Sequence, residues 1–270
     1  MEVEEHQLWG FLEKLYLNFG YDFRDYARAS LKRRICHYLQ LKKINSLHEL
    51  WETIESNELA LEQMIQEISV TVTEMFRDPT FFKSLNKHVI PRLKTYPFFK
   101  VWVAGCATGE EVYTIAIILK EAGLLERSII YATDINQHSL KRASDGIFPI
   151  DSMKNYIANY QQYGGLGEFS QYYSAKYNAV MMNKDLSKNI VFAPHNLAVD
   201  HVFNEFELII CRNVLIYFNQ NLQNKVINLF YQSLCDFGYL GLGSKESLLF
   251  TDKRKNFVEI DRKEKLFMKS

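Results

Sequence analysis

The chain has little that could cross-link or break it. Its four cysteines are Cys36, Cys106, Cys211 and Cys235. None sits in a C-x-x-C pair or at metal-ligand spacing, which argues against a zinc site and a disulfide framework; free thiols and no metal are expected. Twelve Gly and five Pro in 270 residues leave no room for long flexible linkers. Neither charge sign dominates: Lys plus Arg and Asp plus Glu both total 32. A broad nucleic-acid or anionic-membrane surface needs a basic excess to neutralise phosphates, so neither partner is expected, although a local basic patch is left open. No apolar run approaches the ~18 residues of a spanning helix. The start, Met1 to Glu5, is acidic where a secretory leader is basic and then apolar. These absences predict a soluble, cytoplasmic globular protein.

What is present divides into two textures. Residues 5–95 read as helix after helix, with Leu8, Phe11, Leu12, Leu15 and Leu17 near helical spacing. A basic helix is expected from about Asp22 to Leu41. Arg24, Arg28 and Lys32 fall four apart on one face, and Arg33 and Arg34 widen it. Ser46 with Glu49 reads as a capping box, and Pro79 as a first-turn proline of a helix that ends near Pro97. The texture changes at Phe98. Short apolar strands are expected at 99–104, 128–133, 190–193, 206–210 and 239–242, with helices between them, the last over 220–237. Two further strands, 257–260 and 265–268, could form an antiparallel edge. Alternating strands and helices predict an α/β parallel sheet covered on both faces. Residues 150–189, rich in Tyr, Asn and Gln, read as an insertion with short strands of its own.

The first strand runs into a small-residue turn, Ala104-Gly105-Cys106-Ala107-Thr108-Gly109, and a helix that opens with Glu110 and Glu111. A strand, a Gly-rich turn and a helix together form a nucleotide-binding arrangement. Two carboxylates at the helix start would repel a pyrophosphate and welcome an ammonium group. That favours S-adenosylmethionine, whose methionyl end carries an amine, over NAD or ATP. Both glutamates could instead merely complement the helix dipole. Asp134, at the end of the second strand, could bind ribose hydroxyls or cap the next helix. His195 has no partner at metal or acid–base spacing and reads as structural.

Several separated motifs resemble the CheR-type chemoreceptor glutamate methyltransferases. They are Phe19 to Phe23 with Tyr26 and Leu31 to Ile35, Thr71 to Pro79, Trp102 to Glu111 with Tyr113, Ala132 to Ile135, His195 to Leu197, Ile210 to Phe218, and Gly238 to Gly243 with Glu246 to Leu248. The likeness covers nearly the whole chain. Thr71 stands where the family usually has Asn, Met75 where it has Phe and Val112 where it has Pro. The resemblance implies an all-helical N-terminal domain (1–75) for receptor recognition. It implies a Rossmann-like class I S-adenosylmethionine-dependent methyltransferase domain (76–270) with a small inserted β-subdomain. It also implies that Thr71, Thr73, Arg77, Ala104, Glu110, Asp134, Asn196, Leu197, Arg212 and Asn213 hold the cofactor, and that Tyr217 lies near the reacting methyl.

The reaction so implied is methylation of glutamate side chains on the cytoplasmic helical region of a chemoreceptor, giving methyl esters and S-adenosylhomocysteine. In some family members the insertion docks a receptor tail peptide. A glutamate is ionised at about pH 7, so no general base is needed. The carboxylate must be desolvated and aimed, and a forked arginine suits that task. Arg77, Arg212 and Tyr217 are therefore the catalytic candidates. Arg77 could equally pair with Asp78 or Glu74, and Tyr217 could be a core aromatic beside Ile216 and Phe218. The Lys32–Arg34 run could be a solvated face, but inside a family motif it reads as a grip on an acidic receptor helix. The competing reading is a S-adenosylmethionine-binding regulatory module of a chemosensory pathway that transfers no methyl.

Overall fold

The computed structural model describes residues 3–69 and 73–270. Four helices come first: α1 (Glu5–Phe19), α2 (Arg28–Lys42), α3 (Leu47–Glu55) and α4 (Glu58–Ile68). Their apolar stripes meet in one core, with Leu15 of α1, Ile35 and Leu39 of α2, Leu50 of α3 and Met64 of α4 all buried. Gly20 ends α1 at φ 77°, its N–H returned to the Tyr16 carbonyl, a left-handed cap that glycine adopts without strain. Ser46 caps α3 by accepting from the Glu49 N–H (3.1 Å). The Glu49 carboxylate reaches back one residue further than a capping box requires, to the Asn45 N–H (2.9 Å).

The basic helix begins at Arg28, not Asp22. Asp22 takes bonds from the Arg24 backbone (3.2 Å) and from its guanidinium (2.9 and 2.8 Å), so this segment is a loop and Arg24 does not share the face of Arg28 and Lys32. Pro79 does open a helix, α5 (Pro79–His88), but a break at Val89 precedes a single turn, α6 (Ile90–Leu93).

The second unit is a seven-stranded sheet in the order β6-β2-β1-β7-β8-β10-β9. Its strands are β1 (Phe99–Ala104), β2 (Ser128–Asp134), β6 (Ile190–Pro194), β7 (Phe206–Cys211), β8 (Leu234–Leu242), β9 (Phe257–Asp261) and β10 (Leu266–Lys269). The first five run parallel, and β10 and β9 add the antiparallel edge. Alternation along β1 sorts its side chains between two cores. Val101 and Val103 pack with α7 (Glu110–Glu121), and Trp102 and Ala104 pack with α11 (Gln220–Ser233). The helix α11 stops four residues short of its expected end. The chain enters β8 at once, with Phe237 at φ 63°.

After α8 (Gln137–Asp145) comes the insertion: β3 (Ile147–Pro149), α9 (Met153–Tyr163), β4 (Tyr173–Lys176), β5 (Ala179–Met182) and α10 (Lys184–Ser187). Its three strands form their own antiparallel sheet in the order β3-β5-β4. The insertion's sheet thus begins three residues earlier than the composition suggested.

Candidate active site

In the parallel part of the sheet, β1 is flanked by β2 on one side and β7 on the other. The crevice at their carboxyl ends is the ligand position of such sheets. Here the carboxyl ends of β1, β2, β6 and β7 open on a cleft of about 930 Å³, measured out to its mouth. The turn after β1 is pinned to β2: Gly105 and Cys106 both donate to the Thr133 carbonyl (2.8 and 2.9 Å). Trp102 Nε1 donates to the Thr133 hydroxyl (2.8 Å). Gly105 sits at φ 71°, and a β-carbon there would lie 2.5 Å from Val214 Cγ2. Only glycine lets the loop after β7 come this close.

Asp134 ends β2 on the cleft wall. Its two oxygens accept from the Ala107 N–H (2.8 Å) and the Asn136 N–H (2.9 Å). Burial pushes its carboxyl up, and these backbone donors oppose the shift. The carboxylate is thus held in a fixed orientation and still faces the cleft.

The two glutamates of α7 diverge, as successive residues about 100° apart on a helix must. Glu110 turns toward the insertion, accepting from the Thr108 hydroxyl (2.6 Å) and the Tyr156 hydroxyl of α9 (3.2 Å). Glu111 lines the cleft and pairs with Arg212 Nη1 at 2.6 Å. Burial raises the Glu111 carboxyl, and the Arg212 cation pulls it back down. Arg212, its side chain 1% exposed, also binds Asp78 (2.7 Å) and the Arg77 carbonyl (3.2 Å), and it lies 4.2 Å over the Phe81 ring. Its fork therefore ties α7 to the segment leading into α5. Around it, Phe76, Asp78, Ala107 and Asn213 all hold positive φ without being glycine. Such strain persists only where surrounding contacts over-determine it, and it concentrates at functional sites.

The loop after β7 is held by one buried acid. Glu246 accepts from the N–H groups of Val214 and Leu215 (both 2.8 Å), Asn213 (3.1 Å) and Gly243 (2.5 Å). Beyond that loop, Tyr217 meets the helical unit. Ala27 donates to the Tyr217 carbonyl and Asn219 donates to the Asp25 carbonyl (both 2.8 Å). Tyr26 bridges to Phe218 through the backbone. The Arg34 guanidinium lies 4.8 Å over the Tyr217 ring.

Residues 71–264 match the family model described as CheR methyltransferase, SAM binding domain, and residues 8–69 match its all-alpha domain. The Cher3 protein of Pseudomonas putida is 48% identical over 96% of this chain and 95% of its own length. A chemotaxis protein methyltransferase of Listeria innocua is 32% identical over 88% of this chain and 92% of its own. An uncharacterized 104.1 kDa protein of Rhodobacter capsulatus is 29% identical over 88% of this chain, which spans 25% of that protein. The chain belongs to the CheR methyltransferase family. Its α/β unit is accordingly a S-adenosylmethionine-binding methyltransferase domain, preceded by the family's all-α domain.

Set against the CheR pattern, the cleft gathers Thr73, Arg77, Asp134, Asn196, Leu197, Arg212, Asn213 and Tyr217. Thr71 lies outside the described residues. Two expected cofactor residues stay out of the cleft lining. Ala104 is buried with Trp102 on the α11 face of the sheet, and Glu110 faces Tyr156. Glu111, its neighbour in the same motif, is the acid that lines the cleft. His195 packs edge-on against Trp102 (5.2 Å), and burial lowers its pKa, so the ring is neutral. Tyr26 and Arg34 also line the cleft, which the sequence does not reveal, because nothing local in the helical segment shows that it folds onto the loop after β7. Glu246 was legible only as part of a motif. Among the described residues no cluster of acids, His or Cys could hold a metal, and no helix is long and apolar enough to cross a membrane.

The lining suits S-adenosylmethionine. A fixed carboxylate on Asp134 offers acceptors for a ribose diol. Gly105, Cys106 and Ala107 of the turn after β1 line the cleft, with Gly105 held close against the loop after β7. Ile135, Leu197 and Val214 offer apolar contact for a base, and Glu111 offers charge for an amine.

Proposed function

We propose that this chain methylates glutamate side-chain carboxylates on the cytoplasmic helical region of a chemoreceptor, with S-adenosylmethionine as donor and S-adenosylhomocysteine as product. The observation that carries the reading is the composition of the cleft. A fixed ribose-type acid, a neutralised acid–arginine pair and a tyrosine converge where the helical unit closes over the sheet. The chemotaxis role of the Listeria innocua relative supports the choice of substrate.

S-adenosylmethionine supplies an electrophilic methyl on its sulfonium. The chain's residues need only bind, aim and dry the attacking carboxylate, and positioning alone is worth roughly 7–11 kcal/mol in favourable cases. Asp134, Asn196 and Leu197 hold the adenosine in this scheme, and Glu111 with Thr73 the methionyl end. Arg77 orients the incoming carboxylate. Arg212, already committed to Glu111 and Asp78, positions those acids from behind, and Tyr217 confines the methyl. The helical unit, residues 1–75, is the recognition element of a cytoplasmic enzyme. The exposed Arg33 is one candidate contact to an acidic receptor helix, while Arg34 is turned into the cleft.

The test is calorimetric titration with S-adenosylmethionine and S-adenosylhomocysteine, followed by labelled methyl transfer to receptor cytoplasmic fragments. Base-labile label on receptor glutamates is expected. Tight binding without any transfer would favour the regulatory-module reading. No binding would sink both.

A further inference from the structure

Three residues from the four-helix region, ahead of the junction segment that carries Thr73, reach the cleft: Tyr26, Arg34 and Ser69. Arg34 is already committed. Its guanidinium donates to the Ile68 carbonyl and the Ser30 hydroxyl, and its plane covers the Tyr217 ring. Ser69 Oγ is shut away from contact. Tyr26 differs from both. Its ring is wedged edge-on between Phe23 and Phe218, each at 4.9 Å, and its backbone bridges to Phe218. Two aromatic neighbours and a strand-like bridge therefore fix where the phenol points. The hydroxyl takes no hydrogen bond among the described residues. Asp134 is near enough to bear on its ionisation: burial first, then the Asp134 charge, hold the phenol protonated. A rigid, neutral O–H donor without a protein partner thus faces the same space as the acid expected to bind ribose.

We infer that Tyr26 is a cofactor-binding residue supplied by the helical unit, donating its hydroxyl to the ribose of the adenosine that Asp134 accepts from. The inference rests on the cleft being a S-adenosylmethionine site. It makes that site composite. The catalytic unit provides the acceptor, the loop before α2 provides the donor, and the pocket is complete only while the two units are docked. Because the same loop leads directly into the basic helix, cofactor binding and the placement of α2 are then linked equilibria, each favouring the other.

The experiment is calorimetric titration of the full chain and of Y26F with S-adenosylhomocysteine and with its 2′-deoxy and 3′-deoxy analogues. Y26F keeps the ring between Phe23 and Phe218, so the ligand-free Tm should stay within about 1 °C. Its affinity for S-adenosylhomocysteine should fall roughly five- to tenfold, the worth of one hydrogen bond. Against one of the two deoxy analogues the same substitution should cost less than about twofold, because the accepting oxygen is gone. An unchanged affinity for S-adenosylhomocysteine overturns the inference. So does an equal loss against all three ligands, which would mark a packing effect. If the unsubstituted chain binds none of them, the cofactor reading itself fails, a result separable from the other two.

Discussion

At the scale of single residues, the site depends on charges whose partners are already in place. Asp134 is aimed by two backbone N–H groups, so it can meet a ligand without reorganising. Asp134→Ala removes the acceptor of those two N–H groups and, on the proposed reading of the cleft, the acceptor for the ribose. We expect S-adenosylhomocysteine affinity to fall at least about thirtyfold, the scale of a lost charged hydrogen-bond partner. Near-normal affinity by calorimetry would remove Asp134 from the site. Arg212 is a different case. Its terminal nitrogens serve Glu111, Asp78 and the Arg77 carbonyl, with the guanidinium stacked on Phe81. Arg212→Met leaves buried Glu111 without its ion-pair partner and should cost on the order of 3 kcal/mol in urea unfolding. Arg212→Lys keeps the charge and loses the fork, so it should fall between Met and wild type. A Lys variant as unstable as the Met variant would show that geometry, rather than charge, is what Arg212 contributes.

At the scale of elements, the close meeting of two loops shapes the cleft. Gly105 after β1 and Val214 after β7 approach so tightly that a β-carbon would fall 2.5 Å from the valine methyl. Gly105→Ala should lower stability by roughly 2–3 kcal/mol, about 1 from the left-handed backbone and the rest from overpacking. Adding Val214→Ala should recover the overpacking part and leave the backbone part. A double mutant no more stable than the sum of the two single losses would contradict the contact. Elements whose pattern is complete within a few residues were legible in the sequence. Strand β1 is a pure apolar run and was found at its true bounds, and so was the Gly-rich turn that carries the cleft. What was not legible depends on distant partners. Residues 22–27 carry helix-compatible spacing, yet Asp22 captures Arg24, and Tyr26 pairs with Phe218 nearly two hundred residues away. Arg34 reads as surface charge until Tyr217 and the Ile68 carbonyl draw it inward. That Glu110 turns to Tyr156 while Glu111 lines the cleft depends on the insertion, the least patterned stretch of the chain.

At the scale of the whole molecule, the cleft lining is completed where two units with separate cores dock. One part of the seam is the loop from Asp22 to Ala27 laid against residues 217–219, with backbone bonds from Ala27 and to Asp25 and a side-chain bond from Asn219 to Asp25 (2.8 Å). The shape of that loop is set by the Asp22–Arg24 pair, whose side chains are 14% and 28% exposed. The bond from Arg24 holds the Asp22 carboxyl below the usual carboxylate range, against a smaller opposing effect of burial. A carboxyl whose folded pKa is depressed binds its proton more weakly folded than unfolded. It therefore contributes stability above its unfolded pKa, near ~3.9, and loses it as pH falls through the lower folded value. Asp22→Asn should consequently cost roughly 1 kcal/mol at pH 7, a figure already discounted for solvent screening of a partly exposed pair. The gap between wild type and variant should hold steady down to about pH 4.5 and close as the pH falls further. Urea unfolding of both proteins at successive pH values measures it. A gap that persists unchanged below the folded pKa of Asp22 would mean that the side chain acts through shape and not charge. Because the same loop carries Tyr26 into the cleft, the variant should also weaken S-adenosylhomocysteine binding at pH 7, and a variant with normal affinity would uncouple the seam from the site.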